Sequence, residues 1–331
     1  MKETSERKQK VLQILYETEA DYVSGEELSN KLDVSRTTIW KYIQSLREQG
    51  YLIDSSSRLG YSLVKAPDIL SPEEIKKDLE TEILGQEVIY YEKVESTNKI
   101  AIAEAKEGAV EGAIVIAGEQ TAGKGRLGRS FFCPPGGIWF SVILRPNLRP
   151  DFVAQLNFIG VIALAKTIDK LTDLKPGIKW PNDILVNGRK VSGILTELSA
   201  EVDQINYLVM GIGINLNIDL DQFPADLVNK ASSVQRELGE RVSKLEFFLS
   251  LITELELAYF KFQEQGFISI IEDWKEYNLT LGQEVQVDNG REVLVGKAVD
   301  IDSTGALLIK LADGRVKKVV AGDVTLEKEY T

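Results

Sequence analysis

Apolar positions at the start of the chain recur at helical spacing. Val11, Ile14 and Leu15 form a stripe that predicts a first helix. Ser24-Gly25-Glu26-Glu27 is a capping signature for a second helix, tied to a core by Leu28 and Leu32. Ser35 opens a third, with Ile39, Ile43 and Leu46 inward and Gly50 as its stop. Alternation in Tyr51-Leu52-Ile53 and Tyr61-Ser62-Leu63, across the polar turn 54–60, predicts a hairpin. Two prolines and no periodicity make residues 66–72 a linker. Ser71-Pro72-Glu73-Glu74 then begins another helix.

From 73 to 277 strand-like runs alternate with helical ones. Val88–Tyr91, Ala113–Gly118, Ile138–Leu144, Ile184–Val186 and Tyr207–Ile214 read as strands. Thr97–Glu107, Val153–Leu171 and Leu245–Gln265 read as helices, and Asn187-Gly188 as a two-residue hairpin turn. The pattern predicts a mixed α/β domain. Over 278–331 it changes to short strands, Glu284–Val287, Glu292–Ile301, Ala306–Leu311 and Val316–Val319, separated by Asn289-Gly290, Ser303-Thr304-Gly305 and Asp313-Gly314. Such spacing predicts a small β-barrel. The fold class is therefore α/β and multi-domain, with a helical domain over 1–65, a linker, and the two units that follow.

Composition narrows the chemistry. Among 331 residues there is no histidine, which excludes imidazole general bases and His-ligated metals. One cysteine, Cys133, excludes an internal disulfide and a multi-cysteine zinc site. The apolar run Phe158–Ala165 stops at Lys166, well short of a membrane span, and the N-terminus has no apolar leader. No membrane association and a cytoplasmic location are the expectation. The net charge of −12 falls wholly after residue 66, because residues 1–66 hold 10 basic and 10 acidic residues. An acidic body joined to a neutral head suggests two tasks.

On the third predicted helix, burial of Ile39, Ile43 and Leu46 leaves Arg36, Thr37, Trp40, Lys41, Gln44 and Arg47 outward. No acid interrupts that face, and its donors suit phosphates and base edges. The arrangement resembles a winged helix-turn-helix, with residues 25–44 as the two-helix unit and Ser35, Arg36, Thr37, Trp40, Lys41 and Gln44 as DNA contacts. A helical protein-interaction domain with a solvated basic face is the alternative.

The run Gly118 to Arg129 carries the clearest candidate chemistry. It nearly fits a P-loop, but Gly125 stands where Ser or Thr must meet Mg²⁺. It also fits Gly-x-Gly-x-x-Gly, yet Phe131-Phe132-Cys133-Pro134-Pro135 follows instead of a helix. What stands is three glycines that allow close backbone approach and three cations, Lys124, Arg126 and Arg129, within six residues. Between Gly118 and Arg149 five cations face one acid, so an anion is expected to order the loop, which should be mobile without one. Other candidates are Lys179 beside Trp180-Pro181-Asn182-Asp183, the polar run Ser96-Thr97-Asn98, and Gly211-Ile212-Gly213-Ile214-Asn215.

Together these segments resemble the bacterial biotin–protein ligases of the bifunctional type that also represses the biotin operon. The resemblance rests on Ser96-Thr97-Asn98, Gly123 to Arg129, Lys179 to Asp183 with Gly193-Ile194-Leu195, and Gly211 to Asn215. Lys124 stands where arginine is common, and Phe131-Phe132 where other members place a tryptophan. The family implies a class II synthetase-like central domain and two half-reactions. Biotin and ATP, with Mg²⁺, give biotinyl-5′-AMP and pyrophosphate; a lysine of a biotin carboxyl carrier protein then takes the biotin and AMP leaves. It implies Ser96, Thr97, Asn98 and Gln120 on the ureido ring, and Lys124, Gly125 and Arg126 over the carboxylate and phosphate. Lys179 would contact carboxylate and α-phosphate and be catalytic with Arg126, while Arg126, Arg129, Lys179 and Asn215 hold ATP. No protein metal ligand is implied. Biotinyl-5′-AMP as co-repressor would favour a homodimer on operator DNA. A lipoate–protein ligase, or a biotin-sensing transcription factor without turnover, are the rival readings.

Overall fold

The protein is described from a computed structural model covering residues 2–18, 21–48, 50–56, 58–65 and 69–326. Ser57 of the predicted hairpin turn, residues 66–68 of the predicted linker and the last five residues lie outside the described residues. Backbone packing separates Met1–Lys77 from Asp78–Thr331.

The N-terminal unit contains α1 (Lys2–Glu17), α2 (Gly25–Leu32), α3 (Arg36–Glu48), β1 (Leu52–Ser56), β2 (Gly60–Lys65) and α4 (Pro72–Asp78). The starts of α2 and α3 have a local cause. The Ser24 hydroxyl accepts from the Glu27 amide at 3.0 Å, and Ser35 accepts from the Thr38 amide at 3.1 Å. Val11, Leu15, Leu28, Ile39 and Ile43 are fully buried, so the three stripes meet in one core. The wing is antiparallel with Ile53 opposite Leu63, and Val23 adds a bridge to Tyr61. That bridge needs Gly60, where a Cβ would lie 2.1 Å from the Val23 carbonyl oxygen and φ is +111°.

Helix α4 packs with this unit. Tyr16 donates its hydroxyl proton to the buried Glu74 carboxylate, and Ile75 is fully buried. Sequence alone assigned the helix from residue 73 to the domain that follows, because nothing local marks its partner.

The second unit is built on a seven-stranded sheet of order β3-β4-β5-β9-β8-β7-β6. Its strands are β3 (Val88–Val94), β4 (Ile114–Gln120), β5 (Ile138–Leu144), β6 (Gly177–Lys179), β7 (Asp183–Val186), β8 (Arg189–Ala200) and β9 (Ile205–Ile214). β3 and β4 are parallel and joined by α5 (Thr97–Lys106); the other pairs are antiparallel. Asn187 and Gly188 both have positive φ, as a tight β7–β8 hairpin requires.

α6 (Ala154–Leu171), and after a short α7 (Val234–Leu238) also α8 (Lys244–Gln265) and α9 (Phe267–Tyr277), cover the sheet. The segment Pro150–Leu171 is long and apolar enough to cross a membrane, but α6 has 12 of its 18 residues buried and serves as the core helix. Phe158 stands edge-on to Phe267 at 5.1 Å, and Phe140 to Phe248 at 5.2 Å. The first strand-rich segment is followed by five antiparallel strands of order β13-β12-β11-β10-β14, formed by β10 (Glu284–Asp288), β11 (Val293–Ile301), β12 (Leu307–Lys310), β13 (Val316–Val319) and β14 (Asp323–Leu326). Trp180 ties this small sheet to the large one: its indole N–H donates to the Gly305 carbonyl at 3.1 Å, and its amide to Thr280 Oγ1 at 2.9 Å.

Candidate active site

One cleft of about 810 Å³, its open mouth included, lies where β4, β5, β9, β8 and the start of α5 converge. That size is in the range of small-molecule sites. It is lined by Ser96, Thr97, Asn98, Gln120, Lys124, Gly125, Arg126 and Arg129 among others, so eight of the predicted site residues meet there. Lys179 and Asn215 are not among its lining.

Three glycines open the space. β5, β9 and β8 run in register with Ser141 opposite Gly211 and Gly211 opposite Leu195. A Cβ on Gly211 would stand 2.1 Å from Asn98 Oδ1. One on Gly213 would meet the Phe131 ring at 2.8 Å, and one on Gly193 the Lys190 side chain at 3.0 Å. These glycines therefore admit neighbouring side chains to the sheet face.

One end of the cleft is uncharged and hydrogen-bonding. Ser96, Thr97 and Asn98 are buried at the start of α5. The Thr97 amide donates to Gln120 Oε1 at 2.7 Å, and Gln120 Nε2 donates to Cys133 Sγ at 3.2 Å. Ser141 Oγ lies 2.7 Å from Thr97 Oγ1 and 2.6 Å from Asn98 Oδ1. Burial pushes the Cys133 thiol up to about 12, partly offset by its contact with Gln120, so it is a neutral wall group.

The other end is cationic. The loop after β4 folds back on itself through a Lys124–Ser130 bridge, with a single 3₁₀ turn at Arg126–Gly128. The Gly125 amide donates to the Arg129 carbonyl at 2.7 Å. Arg126 donates to the Gly322 carbonyl at 3.3 Å and reaches Asn182 Oδ1 at 3.4 Å, while Arg129 pairs with Asp323 at 2.5 Å. Burial pulls the Arg126 pKa below its ordinary value, opposed by Asp323 and Asp183. The β10–β14 sheet thus contributes directly to the cleft. Arg145 and Arg149, counted in the same basic run, stand elsewhere: Arg145 caps α5 through the Ala105 and Ala109 carbonyls, and Arg149 pairs with Asp151.

Sequence reasoning missed Lys190, Ser141 and Asp323, and it read Asn182 and Asp183 as part of the Lys179 motif without a role of their own. Lys190 lines the cleft, pairs with Asp183 at 2.6 Å and lies 5.6 Å from the centre of the Phe131 ring. Lys179 lies on β6, across the ladder from Asp183 and one strand further out. Asn215 donates to the Ser232 carbonyl at 3.0 Å, while its buried Oδ1 has no hydrogen-bond partner. Among the described residues no group of three or more His, Cys, Asp or Glu side chains stands together to hold a metal.

A second candidate site is the outer face of α3. Ser35, Arg36, Thr37, Trp40 and Lys41 are exposed, Trp40 to 53%, and Gln44 is half-buried. Arg36 lies 3.7 Å from Glu26. Arg47, read from the sequence as part of this face, donates to the Ile53 carbonyl at 2.7 Å and so holds the wing to α3.

Comparison with known proteins places these features. The chain matches an HTH domain over residues 7–62, the biotin/lipoate A/B protein ligase family over 90–215 and the biotin protein ligase C-terminal domain over 280–326. It is 37% identical to the bifunctional ligase/repressor BirA of Bacillus spizizenii over 96% of this chain and 97% of that one. The BirA of Escherichia coli is 30% identical over 92% of this chain and 94% of its own. The biotin protein ligase of Aquifex aeolicus, solved in complex with biotin and ATP, superposes with a TM-score of 0.64 at 28% identity, covering 73% of this chain and 99% of that one. The chain belongs to the biotin/lipoate A/B protein ligase family, in its bifunctional ligase/repressor branch.

Proposed function

We propose that this chain activates biotin with ATP as biotinyl-5′-AMP, transfers the biotin to a lysine of a biotin carboxyl carrier protein, and represses transcription with the adenylate as co-repressor. The observation that carries the reading is one cleft with an uncharged hydrogen-bonding end and a cationic end. A cyclic urea fits the first, because its N–H and C=O groups find partners at Thr97, Gln120 and Ser96 that an unpaired burial would lack. A carboxylate and phosphates fit the second.

In the first half-reaction a biotin carboxylate oxygen attacks the α-phosphorus; a P–O bond forms and the bond to pyrophosphate breaks. Arg126, Arg129, Lys124 and Lys190 stand ready to stabilise the charge that develops on the phosphoryl oxygens, with the Gly125 region offering close backbone approach. Lys179, opposite the cleft-lining Asp183 on the β6–β7 ladder, is assigned to the carboxylate and α-phosphate as the family implies, and Lys190, which lines the cleft, is a second donor to the phosphoryl oxygens. Asn215 Oδ1, buried and unpartnered, is left to accept from the nucleotide. Mg²⁺ enters as part of the ATP substrate. In the second half-reaction a neutral lysine amine attacks the acyl carbon, loses its proton and expels AMP.

The domain scheme that goes with this is a DNA-binding head over 1–65 with α4 packed into the same unit, a catalytic domain over 78–277 and a C-terminal domain over 278–331, acting in the cytoplasm. The α3 face of Ser35, Arg36, Thr37, Trp40, Lys41 and Gln44 supplies the DNA contacts, and because the head is electrically neutral, two copies in an adenylate-bound homodimer supply the affinity. The decisive experiment incubates the protein with ATP, Mg²⁺ and biotin, or lipoate, and looks by mass spectrometry for the bound acyl-adenylate. Biotinyl-5′-AMP alone supports the reading; a lipoyl product or none overturns it. Sedimentation with and without adenylate tests the dimer.

A further inference from the structure

Hydrogen-bond direction at the uncharged end of the cleft can be assigned by elimination. Asn98 Nδ2 donates to Glu197 Oε2 at 2.7 Å and points also at the Leu195 carbonyl. A carboxylate has no proton to give, so this contact fixes the Asn98 amide with Oδ1 turned toward Ser141. Asn98 Oδ1 is 2.6 Å from Ser141 Oγ and is itself an acceptor only. The single Ser141 proton is therefore committed to Asn98. Geometrically Ser141 Oγ could also donate to Thr97 Oγ1, 2.7 Å away, but with its one proton on Asn98 it is left to accept there. The other neighbour of the Thr97 hydroxyl, Gln120 Oε1 at 3.2 Å, is also an acceptor, since it already receives the Thr97 amide proton. Both neighbours draw the Thr97 proton into the protein, and a lone pair faces the cleft.

We infer that Glu197 and Ser141 are positioning residues, acting through Asn98 and Thr97, that fix the Thr97 hydroxyl as a hydrogen-bond acceptor and so select a ligand carrying a ring N–H at that point. This rests on the cleft being the biotin site. Ser141 is fully buried, so water cannot take over its role, and Gly211 is the residue that leaves room for the Asn98 amide between strands β5 and β8. A ligand with ring oxygen in place of the N–H would set one acceptor against another, which costs roughly 10- to 100-fold in affinity.

The test measures pyrophosphate release with biotin and with its two cyclic-carbamate isosteres, each with one ureido N–H replaced by oxygen. The wild type should disfavour one isostere by at least about tenfold in kcat/KM, through KM. Ser141→Ala removes and Glu197→Gln loosens the nearer of the two acceptors for the Thr97 proton, leaving the longer contact to Gln120 Oε1, so each should raise KM for biotin, leave kcat within about twofold and shrink the preference against that isostere several-fold. Val142→Ala, on the same strand but facing the other way, should leave the preference unchanged. If Ser141→Ala does not fold, Glu197→Gln decides, its side chain being only half-buried. A preference unchanged in both variants, with KM raised equally for all three ligands, would mean mere packing and overturn the inference. A wild type that releases no pyrophosphate with biotin would instead overturn the reading of the cleft.

Discussion

Replacing Lys190 by alanine tests one of the two lysines assigned to the reaction. Its ammonium is 2.6 Å from Asp183, with side-chain exposures of 35% and 21%. A pair so open to solvent contributes about 0–1 kcal/mol to folding, so the variant should keep its melting temperature within a few degrees. Its effect on the reaction is larger. Removing one positioned donor from a developing oxyanion costs about 2.7–4 kcal/mol, a fall of about 10²–10³ in adenylation rate. Lys179, opposite Asp183 and assigned to the carboxylate and α-phosphate, should cost at least as much when replaced by alanine. Pyrophosphate release under saturating ATP and biotin gives both numbers, with thermal melts as the control for folding. Either variant within about tenfold of wild type would refute the role given to that lysine.

Gly211→Ala should weaken biotin binding far more than ATP binding and destabilise by about 1–3 kcal/mol, because its Cβ would overlap Asn98 Oδ1; separate titrations by calorimetry check both. Trypsin should cleave after Lys124, Arg126 or Arg129 faster in the free protein than with biotinyl-5′-AMP, and equal rates would contradict ordering of the loop by its anion. The C-terminal sheet carries an acid-sensitive contact. Partial burial disfavours ionised Asp302, but Lys318, the Thr304 hydroxyl and the Thr304 and Ala306 amides outweigh it and hold its pKa at about 2, below the ordinary 3.8. A depressed carboxyl stabilises the fold above its unfolded value, so about 2 kcal/mol should be present above pH 4 and lost as pH falls through 2. Asp302→Asn should flatten that part of an acid-melting curve.

Much of this molecule is written locally. The stripes of α1 to α3 and the caps at Ser24 and Ser35 need only neighbours within four residues, and they stand as the spacing predicts. The same holds for the Asn187-Gly188 turn, and the glycines and cations of the Gly123–Arg129 loop, which line the cleft, can likewise be read from the chain alone. Ser141 was hidden in Ile138–Leu144, a run so apolar that it reads as core and nothing else. Helix α9 and strand β14 also escaped, being short and flanked by weak signals.

Sequence by itself determined the order of the elements, the absence of imidazole chemistry and the kinds of group available to a ligand. Tertiary structure decided which of them meet. Lys190 lines the cleft because the β7–β8 hairpin turns it back over Gly193, and Asp323 reaches Arg129 because the small sheet docks beside the loop. Periodicity records which face of an element is apolar. The register between strands, and the contacts made across nearly two hundred residues, are fixed only when those faces pack together.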